Sequence, residues 1–403
     1  MRRQNDISTI YSVGFVCEGE KTEPYFVRAL YDKVKSQLAH VYSIDVHPAP
    51  VEEEQTEVPQ SGRRRRSVEI QNKPEADPLI KAYQGRPQPE SWVYAGEELL
   101  GKSNEVWVMF DKDGHPHMRE AFEKIKELRE QGKRFNVVFS SLCFEHYMLL
   151  HYEWNATAFE DCECHRKENG KTVYAHCQSK EAKDWGCDGT QCLNGYARAH
   201  GYWEKSKNPE AFKQCRNLWW GILNAFHLKW FSICAEPITY PLYVRNPYLN
   251  IYQLTLRMME IVSLEPFVEV RMDKGHGQYH LLSRNGDVLH FECQSDIKLK
   301  KEIEIRIFKL PTEEELGEIV EQKRQFFEKD PISHTINLNL DFGENMDVDL
   351  ASLLPDKKHY GKFEFGGITY FVAPVLQQVP SLTPEQLDAL RIITVDEKMI
   401  KTM

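Results

Sequence analysis

The feature that most constrains this chain is a pair of short apolar runs, each ending abruptly in carboxylates and each followed by helical periodicity. Tyr11 to Cys17 (YSVGFVC) runs into Glu18-Gly19-Glu20. The PYFVRALYDKVKSQL stretch beyond it carries apolar residues at helical spacing, with Pro24 suited to a first helical turn. Glu105 to Phe110 (EVWVMF) runs into Asp111-Lys112-Asp113-Gly114-His115. Met118, Ala121, Phe122, Ile125 and Leu128 then share one helix face, which Gly132 ends. Tyr42 to Val46 and Phe135 to Phe139 give two further strands, and Phe144, Tyr147, Met148 and Leu149 a further helix. Strands alternating with helices predict an α/β domain built on a mainly parallel sheet with helices on both faces.

Carboxylates at the carboxyl ends of neighbouring parallel strands converge on the crevice where open α/β sheets bind ligands. Glu18 ends one such strand, and Asp111 and Asp113 end another; residues two apart on extended chain face the same way. Convergent carboxylates repel one another unless a cation neutralises them, and Mg²⁺ takes a few carboxylates together with water and phosphate oxygens. The combination points to a Mg²⁺ or Mn²⁺ site for phosphate chemistry. Asp-x-Asp-Gly also suits an ordinary turn, and Glu20 and Glu23 could serve only to complement a helix dipole. His115, two residues beyond Asp113, could contact a phosphate or a leaving oxygen, or simply face solvent. His151, four residues after Tyr147, is expected to pack on its helix.

Cysteine usage sets a second expectation. Of ten cysteines, Cys162, Cys164, Cys177, Cys187 and Cys192 crowd into one polar segment, which fits a metal site in a reducing compartment rather than a secreted disulfide framework. A structural Zn²⁺ held by Cys162, Cys164, Cys187 and Cys192 is expected, with Cys177, His176 or His165 as alternates. Such an ion would stabilise an insertion too polar to fold on apolar burial alone. Cys17, Cys143, Cys215, Cys234 and Cys293 read as buried apolar residues. Around the insertion, Arg166, Lys167, Lys171, Lys180, Arg198, Lys205 and Lys207 alternate with Tyr196, Tyr202 and Trp203, a pattern open to single-stranded nucleic acid or to an ordinary charged surface.

At 403 residues the chain has room for more than one domain, since a domain takes about 100–200 residues. Residues 1–160 read as the α/β domain, interrupted at about 51–88 by a polar, Pro-rich and mobile excursion that includes the basic run Arg63 to Arg66. Residues 161–201 form the Cys/His insertion, and helices within 202–264 return to the first domain. From about residue 265 the grammar changes to short alternating runs (FVEVRM, QYHLLS, DVLHFE, EIEIRIF). Asn285-Gly286 and Gly366-Gly367 supply hairpin turns there, and Glu313 to Lys329 a charged helix, which predicts a separate α+β domain over 265–403. The amino-terminal stretch lacks the apolar run of a signal peptide, and no stretch approaches the roughly 18 apolar residues of a spanning helix. A cytoplasmic protein with no membrane partner is expected. The net charge of −10 does not advertise nucleic-acid binding, so any such contact must come from local basic groups.

Three stretches together resemble the RloB-like family over about residues 10–262. They are Cys17-Glu18-Gly19-Glu20-Lys21-Thr22-Glu23-Pro24-Tyr25-Phe26, then Phe110-Asp111-Lys112-Asp113, then Ser141-Leu142-Cys143-Phe144-Glu145-His146-Tyr147-Met148-Leu149-Leu150-His151, with Asn246-Pro247 as a closing motif. The resemblance implies a Toprim-like fold, in which a glutamate after the first strand and an Asp-x-Asp pair hold Mg²⁺. By position these are Glu18, Asp111 and Asp113, with Glu145 as a further ligand or a partner of one. The family pattern has Asn-Pro where this chain has Leu142-Cys143. The resemblance further implies a metal-dependent nuclease in antiphage defence, of the abortive-infection or restriction-associated kind, encoded near an AAA-type ATPase. DNA or RNA would be the substrate, and assembly into a homo-oligomer stays open. Rival readings are a nucleotide-binding or nucleotide-processing sensor, and an adaptor subunit of an ATPase-containing complex.

Overall fold

In a computed structural model of the chain, the described residues are 11–36, 38, 42–49, 77–112, 114–169, 171–175, 184–185, 192–203, 218–237, 240–273, 279–312, 315 and 331–377. The first part runs β1 (Tyr11–Cys17), α1 (Thr22–Val34), β2 (Tyr42–His47), α2 (Pro78–Tyr83), α3 (Glu90–Leu99), β3 (Glu105–Asp111), α4 (Met118–Glu130), β4 (Phe135–Ser141) and α5 (Glu145–Leu149). A hairpin of β5 (Cys164–Glu168) and β6 (Lys171–Ala175) follows, then α6 (Leu193–Ala199), α7 (Leu218–Ala235), β7 (Tyr248–Leu249), α8 (Ile251–Met258) and β8 (Ile261–Ser263).

The central sheet has the order β2-β1-β3-β4-β7. Its first four strands pair in parallel, and β7 closes the edge antiparallel to β4. Strand interiors are apolar on both faces because both faces are covered, as parallel sheets require. Period-two alternation divides the side chains between two cores. Phe15, Cys17, Trp107, Met109 and Val138 enter one core with Phe26 and Leu30 of α1, Phe226 of α7 and Leu254 of α8. Val16, Val106, Val108, Phe110, Val137 and Phe139 enter the other with Trp92 of α3 and Phe122 and Ile125 of α4. The expected α/β layering is therefore present. Within the excursion expected over 51–88, residues 51–76 lie outside the described residues, whereas Pro78–Tyr83 is helical. Asp77 starts that helix by accepting from the N–H groups of Leu79 and Ile80.

Register brings the carboxyl ends of the strands level. Cys17 pairs with Met109 and Asp111 with Ser140, so the residues just beyond β1, β3 and β4 share one rim.

The second part continues β9 (Val268–Asp273), β10 (Tyr279–Asn285), β11 (Val288–Gln294), β12 (Leu299–Lys309), β13 (Ile332–Leu340), β14 (Asn345–Asp349), α9 (Leu350–Leu353), β15 (His359–Phe365) and β16 (Ile368–Val372). These form sheets ordered β14-β11-β10-β9 and β13-β12-β15-β16-β8. β8 pairs in parallel with β16, so the second sheet already begins at Ile261. Phe365 pairs with Ile368 across Gly366-Gly367, both at positive φ (65° and 81°), as a two-residue turn of the primed type demands. Apart from Glu315, the helix expected over Glu313 to Lys329 lies outside the described residues. Trp219 of α7 stacks on Tyr360 at 4.6 Å, joining the second part to the first core.

Candidate functional site

Glu18 is the first residue past β1, and its N–H donates to the carbonyl of Met109 at 2.9 Å, which fixes it beside β3. Its Oε2 accepts from the backbone N–H of Asp111 at 2.8 Å, and its Oε1 lies 2.8 Å from His115 Nε2. Asp111, the last residue of β3, accepts from the N–H of Phe144 through Oδ2 at 3.0 Å. The tips of β1, β3 and the turn after β4 are thus tied together through carboxylates. Two more acids approach from helix starts: Glu23 in the first turn of α1 and Glu145 at the start of α5, both buried. Gly19 leaves room for this crowding, because a Cβ there would collide with the Glu23 carboxylate.

The electrostatics follow from this geometry. Burial, then the neighbouring charges of Glu18, Glu23 and Glu145, push the Asp111 carboxyl well above the usual carboxylate range, and the Phe144 N–H only partly opposes them. All the donors gathered here are carboxylate oxygens, the set that hard divalent cations take. Glu18, Glu23 and Glu145 lie close enough to Asp111 to act on its charge, with His115 at the rim, and these are the carboxylates on which an ion here would draw. Asp113 lies outside the described residues. Glu20 is exposed and lines, with Glu18, Arg86 and Trp92, a neighbouring cavity of about 220 Å³. The His115 ring meets the Trp92 ring edge-on at 5.3 Å.

Other candidates go elsewhere. Lys112 donates to the carbonyl of Val244 at 2.8 Å, and burial lowers its pKa. His146 and His151 are buried, and burial lowers each to about 4; His151 packs edge-on against Tyr147 at 4.6 Å. Tyr196 and Tyr202 both donate to Glu153 (2.7 and 2.6 Å), and Trp203 is buried and donates to Asn194 (3.2 Å), so these aromatics are engaged in packing. Arg166 pairs with Glu168, and Lys180, Lys205 and Lys207 lie outside the described residues.

Among the expected zinc ligands, Cys164 and Cys192 are both buried, with sulfurs 3.8 Å apart. Cys192 also caps α6, accepting from the Gly195 N–H. Cys162 is bonded to Cys143, and its sulfur lies 3.9 Å from the Glu145 carboxylate. His165 pairs with Asp161 at 2.7 Å, while Cys187, Cys177 and His176 lie outside the described residues.

Sequence reasoning undervalued Glu23 and Cys143. Glu23 falls five residues after Glu18, where a short turn folds the first helical turn back over the strand tip. Cys143 was legible only as one position in a motif, since its partner is 19 residues away.

No curated protein matches the sequence. A family model described as RloB-like protein matches residues 15–223, more than half of the chain, and takes in Glu18, Asp111 and Glu145. The chain belongs to the RloB-like protein family.

Proposed function

We propose that the chain is a divalent-metal-dependent nuclease of the Toprim type, cleaving phosphodiester bonds in prokaryotic antiphage defence. One observation carries the reading: the Glu18 carboxylate, just past β1, accepts from the N–H of Asp111 at the end of β3, and Glu18, Glu23 and Glu145 all lie close enough to Asp111 to add their charge. A protein gathers like charges in this way, out of water, where a cation is to be bound. Glu18, Asp111 and Glu145 would hold Mg²⁺ or Mn²⁺, with Glu23 and Asp113 as further candidates. Such an ion supplies polarisation of a phosphoryl oxygen and a more acidic bound water. The backbone N–H groups of Asp111 and Phe144 orient the carboxylates. His115, which contacts Glu18, would pass a proton to a leaving oxygen. Zn²⁺ bound through Cys164 and Cys192, with Cys187, accounts for the thiol density of the insertion.

The second reading, a site that binds or processes a small nucleotide, draws on the cavity beside Glu18, where Arg86 could meet a phosphate and Trp92 a base. An adaptor subunit of an ATPase-containing complex would need no chemistry at all.

The test incubates the purified full chain with labelled DNA and RNA pools and with free nucleotides, in Mg²⁺ or Mn²⁺, with and without any ATPase encoded alongside it. Cleavage of a polymer that Glu18→Gln and Asp111→Asn each reduce by 100-fold or more, on the order of what a lost catalytic group costs, supports the nuclease. Turnover of free nucleotides alone selects the second reading. Defence that survives both substitutions would overturn both readings and leave the adaptor.

A further inference from the structure

Among the described residues, a cluster of metal-ligating atoms lies where the turn before α5 meets the start of the insertion. The sulfurs of Cys143 and Cys162 and a carboxylate oxygen of Glu145 all lie within 4.8 Å of one another. Backbone contacts hold both sides in place. The Cys143 carbonyl accepts from the His146 N–H at 3.1 Å. Asp161 and Cys162 accept through their carbonyls from the N–H groups of Leu193 and Asn194, each at 3.1 Å. Cys143 and Glu145 are buried, so the cluster is part of the interior rather than a surface coincidence.

Two cysteines can converge for a disulfide or for a shared cation, and Glu145 adds a third ligand atom to the second alternative. Two thiolates and a carboxylate form an anionic donor set that a borderline-soft dication matches, at the ligand number that leaves one tetrahedral position over. We propose that Cys143, Cys162 and Glu145 form a site for a thiophilic divalent cation of the Zn²⁺ class, adjoining the carboxylate centre at the strand tips and sharing Glu145 with it. The site ties the Phe144 turn, whose N–H holds Asp111, to the insertion.

Loading balances simply. A bonded pair first takes two electrons from a thiol or phosphine reductant; the two protons come from the reductant's thiols, which end as a disulfide, or, with a phosphine, from water, whose oxygen ends in the phosphine oxide. The two thiols then release two protons as two sulfur–metal bonds form, with no further change of oxidation state. Oxidation of the pair and occupancy by metal are mutually exclusive.

The experiment uses the full chain purified under a phosphine reductant, with zinc measured by mass spectrometry and Co²⁺ used as a spectroscopic probe. The expected result is a thiolate-to-cobalt charge-transfer band whose intensity falls in Cys143→Ser and again in Cys162→Ser. Glu145→Gln should weaken cobalt or zinc binding by roughly 10-fold or more while still permitting the sulfurs to bond on oxidation. Cys187→Ser should leave this share of the band in place. The proposal is overturned if the reduced wild-type chain binds no more metal than Cys143→Ser, or if Glu145→Gln binds as tightly as wild type. Should Cys143→Ser fail to fold, the thiolate-to-cobalt band in Cys162→Ser decides. None of these readouts involves nucleic acid, so the nuclease reading can fail while this site stands.

Discussion

Glu265 and Asp111 are carboxylates taken largely out of water, and the protein treats them in opposite ways. Around Glu265, Lys229 stands at 3.2 Å, and Trp230, Tyr252 and Ser263 donate at 2.9, 2.6 and 2.7 Å. Burial alone would raise its pKa, but Lys229 and these donors reverse the direction, leaving it below the usual range. Glu105, at the opposite end of β3 from Asp111, is likewise compensated by Arg257 at 2.7 Å and by the Trp107 indole at 2.6 Å. Asp111 instead faces three more acids and is pushed upward. Where only stability is at stake, the chain buries a carboxylate with a cation and donors that offset its desolvation. At the strand tips other acids surround Asp111 instead, and the proposed cation would offset them.

The largest expected effect comes from giving Glu265 the surroundings of Asp111. Lys229→Met leaves a buried charge without its partner and should cost about 3–5 kcal/mol in urea unfolding; a loss below 1 kcal/mol would mean that the pair is not the compensation described. The opposite change at the strand tips should have the opposite sign. At a pH above the raised Asp111 pKa, Asp111→Asn removes one of several like charges while its amide oxygen can still accept from Phe144, so the metal-free protein should gain on the order of 1 kcal/mol there. A clear loss in the same denaturation experiment would show that the acids are not in repulsion.

A smaller effect should appear in the pH dependence of stability, measured in chelator. Asp111 has its folded pKa raised above the ordinary 3.8, so it holds a proton more tightly in the folded state. Its contribution is fully present below that value and is lost as pH rises through the raised one. Glu265 has its pKa lowered from 4.5, so its contribution is present above that value and is lost as pH falls through the lowered one. Asp111→Asn should therefore flatten the alkaline side of the wild-type profile and leave the acid side unchanged; a change confined to the acid side would contradict the assignment.

Much of this arrangement was legible in the residues. The runs ending at Cys17 and Phe110, each followed by helical spacing, specify strand, acidic tip and helix, and the register then brings Glu18 to Asp111. Less legible was α3, whose Trp92, Val93, Ala95 and Leu99 carry helical spacing inside a segment dominated by prolines and charge. The Glu105–Arg257 and Lys229–Glu265 pairs were not readable, because a buried ion pair depends on a tertiary meeting of residues that local periodicity does not report. The same holds for Cys143, which in sequence is one apolar position in a turn and in space is the neighbour of Cys162 and Glu145. β13 and β14 were also missed, since ISHTINLNL and NMDVD are too polar for a core-strand reading and pair along largely exposed faces.

The most direct measurement is a calorimetric titration of Mg²⁺ into the metal-free full chain, alongside Glu18→Gln and Asp111→Asn. The expected result is saturable binding to wild type that each substitution weakens by 10-fold or more, while Lys229→Met, if folded at the working temperature, retains it. Equal Mg²⁺ binding by wild type and Asp111→Asn, or none by wild type, would contradict the idea that the acids at the strand tips are gathered to hold a cation.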